Sequence, residues 1–137
     1  MILALVTPDV AEALTKVSAR AADLGWAAGF FDGEGSVTHE RRPTGIYIRL
    51  SVTQCGSDRE LKEFARIVGR GRVNGPYAPS RDKDWRDPVT DLPFYQLKER
   101  YHLNINGNTA SREVIELLRP YLRGVKAQTF DRLAGGQ

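Results

Sequence analysis

Residues 25–37 read GWAAGFFDGEGSV, a run of small and aromatic residues that ends in two acids alternating with glycines. The small, apolar character of the preceding residues predicts a helix over roughly 19–32, and Gly33 and Gly35 predict its end. Asp32 and Glu34 therefore stand where the helix must give way to another element. Both the fold and the function depend on why acids occupy that junction.

After Gly35 the hydrophobic period changes from helical to alternating. In residues 45–54 (GIYIRLSVTQ) every second residue from Ile46 to Val52 is apolar, and the residues between them are polar or basic. This alternation predicts a strand with one buried face and one polar face. Ser36–Arg42 is its predicted hairpin partner across a Pro-Thr-Gly turn.

The rest of the chain alternates between the two periods. A Thr-Pro-Asp start at Thr7 predicts an N-terminal helix, and its continuity with the next helix across Leu24-Gly25 is left open. The later predicted elements are a helix from Ser57 to Gly69, a strand near 70–77, a polar loop near 78–93, a strand over 94–106, a helix from Asn108 or Thr109, and a helix from Lys126 to Leu133. The prediction is an α+β domain over 19–133, with a helical extension at 1–18 and a tail at 134–137.

Composition describes an ordinary globular protein of 137 residues, enough for one domain. A single cysteine, Cys55, excludes an internal disulfide and a cysteine zinc site, and it is interpreted as a small buried residue. No span or signal sequence is apparent, so we expect no membrane association and a cytosolic setting by default. The first 35 residues carry a net charge of −3 and the remainder +6, and 15 of the 20 basic residues are arginine. Arginine suits phosphate and guanine, although a GC-rich genome also enriches it.

Residues 27–35, AAGFFDGEG, resemble the nine-residue signature of the LAGLIDADG homing endonucleases. The motif ends a predicted helix and opens a predicted hairpin, as that family requires, and the α-β-β-α-β-β-α order also agrees. Residues 120–128 (PYLRGVKAQ) resemble the family's C-terminal pattern. The resemblance implies a curved antiparallel four-stranded sheet that binds double-stranded DNA. It also implies site-specific cleavage of both strands with Mg²⁺ or Mn²⁺, and no small-molecule substrate.

The resemblance assigns Glu34 and the Gly33 carbonyl to the metal, and Gly29 and Gly33 to a contact between two helices. The residues themselves are consistent with this, because glycines four apart leave one helix face bare and two bare faces can pack closely. Close approach would bring two Glu34 carboxylates together, which favours a cation between them. Asp32 is expected to organise the turn. With one motif in the chain, a homodimer and a near-palindromic target are implied.

Two further residues match catalytic positions of the family. Gln54 matches a polar residue that positions water, and Lys126 matches a basic residue that stabilises the transition state. A lone lysine near a C-terminus also suits a solvated or helix-dipole role. The polar strand faces supply candidate DNA contacts, although solvated sheets have polar faces too. These candidates are Ser36, Thr38, Glu40, Arg42, Tyr47, Arg49, Ser51, Arg72, Asn74, Gln96, Lys98, Arg100 and His102.

Two departures from the family pattern stand out: glutamate replaces the usual aspartate at position 34, and alanine replaces the leading leucine at position 27. Two other functions fit the same fold. One is a non-cleaving DNA-binding regulator, and the other is an RNA splicing cofactor (maturase). The acid at Glu34 favours the nuclease, because regulators of this kind usually lose it.

Overall fold

The first element is one long helix. A computed structural model describes residues 7–78, 88–89 and 99–134. Helix α1 runs without a break over Pro8–Glu34, and the Thr7 hydroxyl caps it by accepting a hydrogen bond from the Val10 amide. The extension and the motif therefore share one helix, which answers the question left open at Leu24-Gly25. Residues 8–20 are exposed on every side, and burial begins at Leu24.

The predicted order of elements is confirmed. The bounds are β1 Gly35–Arg42, β2 Gly45–Cys55, α2 Arg59–Val68, β3 Arg72–Tyr77, β4 Arg100–Asn106, α3 Asn108–Leu118, a 3₁₀ turn Arg119–Tyr121, and α4 Lys126–Ala134. Of the strand predicted over 94–106, residues 94–98 lie outside the described residues. No helix in the described ranges is long and apolar enough to cross a membrane. The domain is α+β.

The strands form one antiparallel sheet in the order β1-β2-β4-β3. Its helix-facing side carries the alternating apolar residues, and these are buried: Ile48, Leu50, Val52, Leu103 and Ile105. The other side, here called the outer face, carries the polar residues of the same strands. The predicted alternation of β2 is thus confirmed.

Phe31 joins three helices in the core. This fully buried ring lies 6.0 Å from the ring of Phe64 in α2 and 5.5 Å from that of Phe130 in α4, measured between centroids. Burial of an aromatic side chain of this size stabilises a fold by about 1.5–3 kcal/mol, and ring pairs add to this. The last turn of α1 is therefore held in place by core packing.

Helix α3 is docked on β2 through its first residue. The Asn108 side chain accepts a hydrogen bond from the Ile48 amide (2.8 Å) and donates one to the Ile46 carbonyl. Strand β4 pairs with β2 only from Arg49 onward, so these bonds satisfy β2 backbone that β4 does not reach. The Ser111 hydroxyl adds bonds to the carbonyls of Ile48 and Ile105.

We expect Asn108→Ala to lower the free energy of unfolding by about 1–3 kcal/mol, because the buried Ile48 amide loses its partner. Urea denaturation at one fixed protein concentration measures the change. Thr109→Ala is the matched control, since Thr109 is exposed in the same turn, and its effect should stay within about 0.5 kcal/mol. Equal shifts of the two midpoints would contradict this role of Asn108.

Candidate metal and nucleic-acid site

The junction between α1 and β1 contains no linker. Glu34 is the last residue of α1, Gly35 is the first of β1, and the Gly35 amide donates to the Phe31 carbonyl. A Cβ on Gly35 would lie inside van der Waals contact of the Phe31 ring. Only glycine fits beside this ring, so the chain can pass directly from helix to strand and leave Glu34 at the helix end.

Glu34 lies where its charge is least favourable. It is exposed at the C-terminus of α1, where the helix dipole is negative, and the last turn contains no basic residue. Its carboxylate has no hydrogen bond or ion pair with any residue that the structure describes. An acid that violates a local rule without compensation marks a functional position more often than a structural one.

Asp32 has a different environment from Glu34. Its Oδ2 accepts hydrogen bonds from the amides of Arg123 and Gly124, both at 3.0 Å. The sequence assigned Asp32 to organising its own turn, whereas its partners lie about ninety residues further along the chain. The Asp32 carbonyl accepts a hydrogen bond from Lys126 Nζ at 2.7 Å. The structure thus brings Lys126 to the end of α1 that carries Glu34.

The glycine face of α1 is open. A Cβ added to Gly25, Gly29 or Gly33 would meet nothing within 4 Å. Gly25 was not singled out from the sequence, although its spacing of four from Gly29 places it on the same face. These three residues span about 12 Å of helix. The face is bordered by Trp26, which is 41% exposed and stacks on Phe30.

Gln54 lies at the same end of the sheet as Glu34. Gly35 pairs with Val52, and Gln54 follows two residues later, about 7 Å along β2. Its side chain is half-buried on the helix-facing side and lies opposite Tyr101 in register. Within the described ranges of one chain, no group of three or more His, Cys, Asp or Glu side chains could hold a metal ion.

The described DNA-contact candidates share the outer face. The ladder register aligns one polar residue from each strand in a row across it, formed by Ser36, Ser51, Asn104 and Arg72. The Ser36 and Ser51 hydroxyls are hydrogen-bonded at 2.8 Å. Asn104 was left out of the candidate set, although the alternation of β4 places it there. Gln96 and Lys98 lie outside the described residues.

Two clusters order the outer face. At the hairpin tip, the Arg42 guanidinium lies 3.8 Å from the centroid of the Tyr47 ring and is also paired with Glu40. Near the end of β2, Thr53 Oγ1 and His102 Nδ1 are hydrogen-bonded at 2.9 Å. Thr38, Arg49, Asn74 and Arg100 occupy register positions between or beside these clusters.

The outer face has a positive net charge and also carries Cys55. Its described DNA-contact candidates include four arginines and one glutamate, so the net charge of this set is positive. Cys55 shares the parity of this face and is exposed, which shows that its interpretation as a buried residue was wrong. The alternation of β2 would have predicted the correct side.

Ion pairs cover the surface of α2. A hydrogen bond with Lys62 lowers the pKa of Asp58, and the same bond raises the pKa of Lys62. A hydrogen bond from Arg66 lowers the pKa of Glu63. These exposed pairs resemble ordinary helix-surface pairs at i, i+3 and i, i+4, in contrast to Glu34, which has no partner in the described part of the chain.

We expect Glu34→Gln to raise the free energy of unfolding of the metal-free protein by about 0.3–1 kcal/mol at low ionic strength, because it removes an anion from a helix C-terminus. The gain should shrink at high salt. Glu60→Gln is the control, since Glu60 lies in the first turn of α2, where the dipole favours an acid. A gain of equal size in both variants would contradict the dipole argument.

No protein-family model matches the chain, and no curated protein matches it in sequence. Solved structures match it in fold. The homing endonuclease I-CvuI, in complex with the I-CreI target in the presence of Mg, has a TM-score of 0.57 and 19% identity, over 85% of this chain and 66% of that one. The homing endonuclease I-TnaI has a TM-score of 0.51 and 23% identity, over 80% of this chain and 67% of that one.

A third structure with the same fold belongs to a named LAGLIDADG homing endonuclease. The LAGLIDADG homing endonuclease I-GzeII, in complex with a DNA target, has a TM-score of 0.52 and 21% identity, over 80% of this chain and 33% of that one. The chain spans about two thirds of the length of the first two proteins and a third of the last. The chain has the fold of the LAGLIDADG homing endonucleases.

Proposed function

We propose that this protein is a site-specific DNA endonuclease that acts as a homodimer with Mg²⁺ or Mn²⁺ and cuts both strands of a near-palindromic duplex. The observation that carries the proposal is Glu34, an exposed acid at the helix end beside an open glycine face, with no partner among the residues that the structure describes. Structural neighbours solved in complex with DNA targets support the DNA-binding part of this proposal.

The homodimer supplies what a single chain lacks. Two copies of α1 that pack across Gly29 and Gly33 bring their C-terminal ends together, and each contributes one Glu34. A two-fold axis between the helices makes the two halves equivalent. Each of the two equivalent reaction centres then lies beside one phosphodiester, one in each strand. The target sequence is expected to have the same two-fold symmetry as the dimer.

The donor set suits a hard divalent cation. The Glu34 carboxylate and the Gly33 carbonyl are oxygen donors, and the carbonyl belongs to the last turn of α1, whose C=O groups lack helical partners. When bound to these oxygens, Mg²⁺ would supply Lewis-acid activation of a water and would offset the charge that develops on the phosphate. Lys126 places a cation at the same helix end, where it can stabilise that charge. Gln54 can orient a water through its amide.

The outer face is the proposed DNA surface. Antiparallel ribbons fit the major groove, where arginine binds guanine through two hydrogen bonds. Arg42 is held by Tyr47 and Glu40, so less conformational entropy is lost when its guanidinium meets a base. Arg49 and Arg72 lie further along the same face and suit phosphate or guanine.

We expect Glu34→Gln to abolish cleavage while specific DNA binding and dimerisation persist, because only the metal-binding charge is removed. The substrate is the duplex that the wild-type protein cleaves out of a randomised library with Mg²⁺. Product is followed on denaturing gels, and binding is measured with Ca²⁺ in place of Mg²⁺. Residual cleavage by Glu34→Gln near the wild-type rate would overturn the assignment.

Glu40→Gln is the matched control for this substitution. It makes the same chemical change on the outer face, where the carboxylate pairs with Arg42. It should alter which duplex is preferred and leave cleavage of a bound duplex possible. A wild-type protein that binds one duplex tightly and cuts none would instead indicate a DNA-binding regulator.

We expect Gly29→Leu to raise the dissociation constant of the dimer by about 10- to 100-fold, which corresponds to the roughly 1–3 kcal/mol that overpacking costs. The single chain should tolerate the change, since a Cβ at Gly29 meets nothing within 4 Å. Sedimentation velocity over a concentration series measures the dimer. Ala19→Leu, ten residues earlier on the same helix, is the control. A dimer of unchanged affinity in Gly29→Leu would exclude the glycine face of α1 as the dimer interface.

A further inference from the structure

The contact between Asp32 and the C-terminal segment has the form of an anion site. Two consecutive amides, those of Arg123 and Gly124, converge on a single carboxylate oxygen of Asp32, each at 3.0 Å. Hydrogen bonds to a charged acceptor are stronger and more directional than neutral ones. The carboxylate therefore fixes the position of the backbone two residues before Lys126.

The other carboxylate oxygen shows how closely the segment is fitted. Asp32 Oδ1 is buried and has no hydrogen-bond partner among the described residues. It lies against Gly124, where a Cβ would be 2.7 Å from it. A larger residue at position 124 would push the carboxylate away from the two amides. An oxygen left unsatisfied in this way costs stability, so the contact is not optimised for folding alone.

Lys126 is placed unfavourably for its own helix. It is the first residue of α4, and a cation at a helix N-terminus opposes the dipole. Its ammonium instead lies 2.7 Å from the Asp32 carbonyl, at the negative end of α1, whose last turn contains no basic residue of its own. The location of Lys126 is thus explained by its hydrogen bond to the carbonyl of Asp32, which lies two residues before Glu34 in α1.

We propose that Asp32 is the positioning residue for Lys126: its carboxylate fixes the Arg123–Gly124 backbone, and its carbonyl receives the ammonium at the metal end of α1. This inference deepens the proposed function and rests on it for its catalytic consequence. The placement of Lys126 itself does not depend on cleavage. Asp32 acts through hydrogen bonds and requires an acceptor oxygen rather than a negative charge.

Amine labelling tests the placement without any DNA. Each lysine is acetylated with a water-soluble ester and quantified by mass spectrometry, with exposed Lys16 as the internal reference. In the wild-type protein Lys126 should react several-fold more slowly than Lys16. Asp32→Ala and Gly124→Ala should remove that protection, since each releases the 123–124 backbone. Asp32→Asn should keep it, because the amide oxygen still accepts.

Val125→Ala is the matched control, because Val125 lies between Gly124 and Lys126 and is 79% exposed. It should leave the labelling of Lys126 unchanged. Gly124→Ala keeps Asp32 itself, so it decides the question if Asp32→Ala does not fold. Equal protection of Lys126 in the wild-type protein and in Gly124→Ala would overturn the proposal.

A double-mutant cycle tests the catalytic consequence. On the duplex cleaved by the wild-type protein, Asp32→Ala should slow single-turnover cleavage by about 10- to 100-fold, with the DNA dissociation constant little changed. Asp32→Asn should recover most of that rate. In a Lys126→Met background, Asp32→Ala should add little, because both substitutions remove the same interaction.

The outcomes separate the two proposals. A full additional loss from Asp32→Ala in the Lys126→Met background would show that Asp32 does not act through Lys126. Failure of Asp32→Asn to recover the rate would point to a direct metal-binding role for the carboxylate. That result would also overturn the proposal that Asp32 positions Lys126. If the wild-type protein cleaves no duplex, the proposed nuclease function fails, and the labelling result still decides whether Asp32 holds Lys126.

Discussion

The Phe31 ring occupies the space that a side chain at position 35 would need, and the arrangement of the site depends on this contact. Glycine is the only residue type that fits at position 35, and with glycine there helix α1 ends and strand β1 begins at consecutive positions. Phe31 itself is fixed by rings from α2 and α4. The position of Glu34 is therefore set by the hydrophobic core, with no flexible loop between the core and the acid.

The end of α1 organises charge in two directions. Its unpaired carbonyls and dipole attract cations, and the structure supplies Lys126 to one of these carbonyls. Glu34 adds a negative charge at the same end and has no partner among the described residues, which makes this end costly for an isolated chain. A bound divalent cation would offset that cost. The residue that weakens the isolated helix is thus the one that the proposed reaction requires.

The sequence predicts well what local chemistry determines. The alternation in β2 and β4 assigned residues to the helix-facing side and the outer face. It placed Asn104 on the outer face, although Asn104 was left out of the DNA-contact candidates, and it would have placed Cys55 there had it been applied to it. Contacts between distant segments are a different matter. The bond from Asp32 to Arg123 and Gly124 joins residues about ninety positions apart, and no periodicity signals it. The unbroken α1 is consistent with helix propensity, because a glycine such as Gly25 costs a helix only about 1 kcal/mol and does not end it.

Strand β2 connects the proposed DNA surface to the proposed catalytic site. Successive residues on a strand point to opposite sides, so Thr53 faces the outer face and Gln54 faces the helices. Thr53 is hydrogen-bonded to His102 on the proposed DNA surface, while Gln54 lies two residues beyond the Gly35–Val52 pair that adjoins Glu34. DNA bound to the outer face that shifted β2 would also move the proposed catalytic site on the other side, since the strand is hydrogen-bonded to β1 and β4 on both edges. In the proposed function, binding of the correct duplex would therefore influence the geometry around Glu34 through this strand.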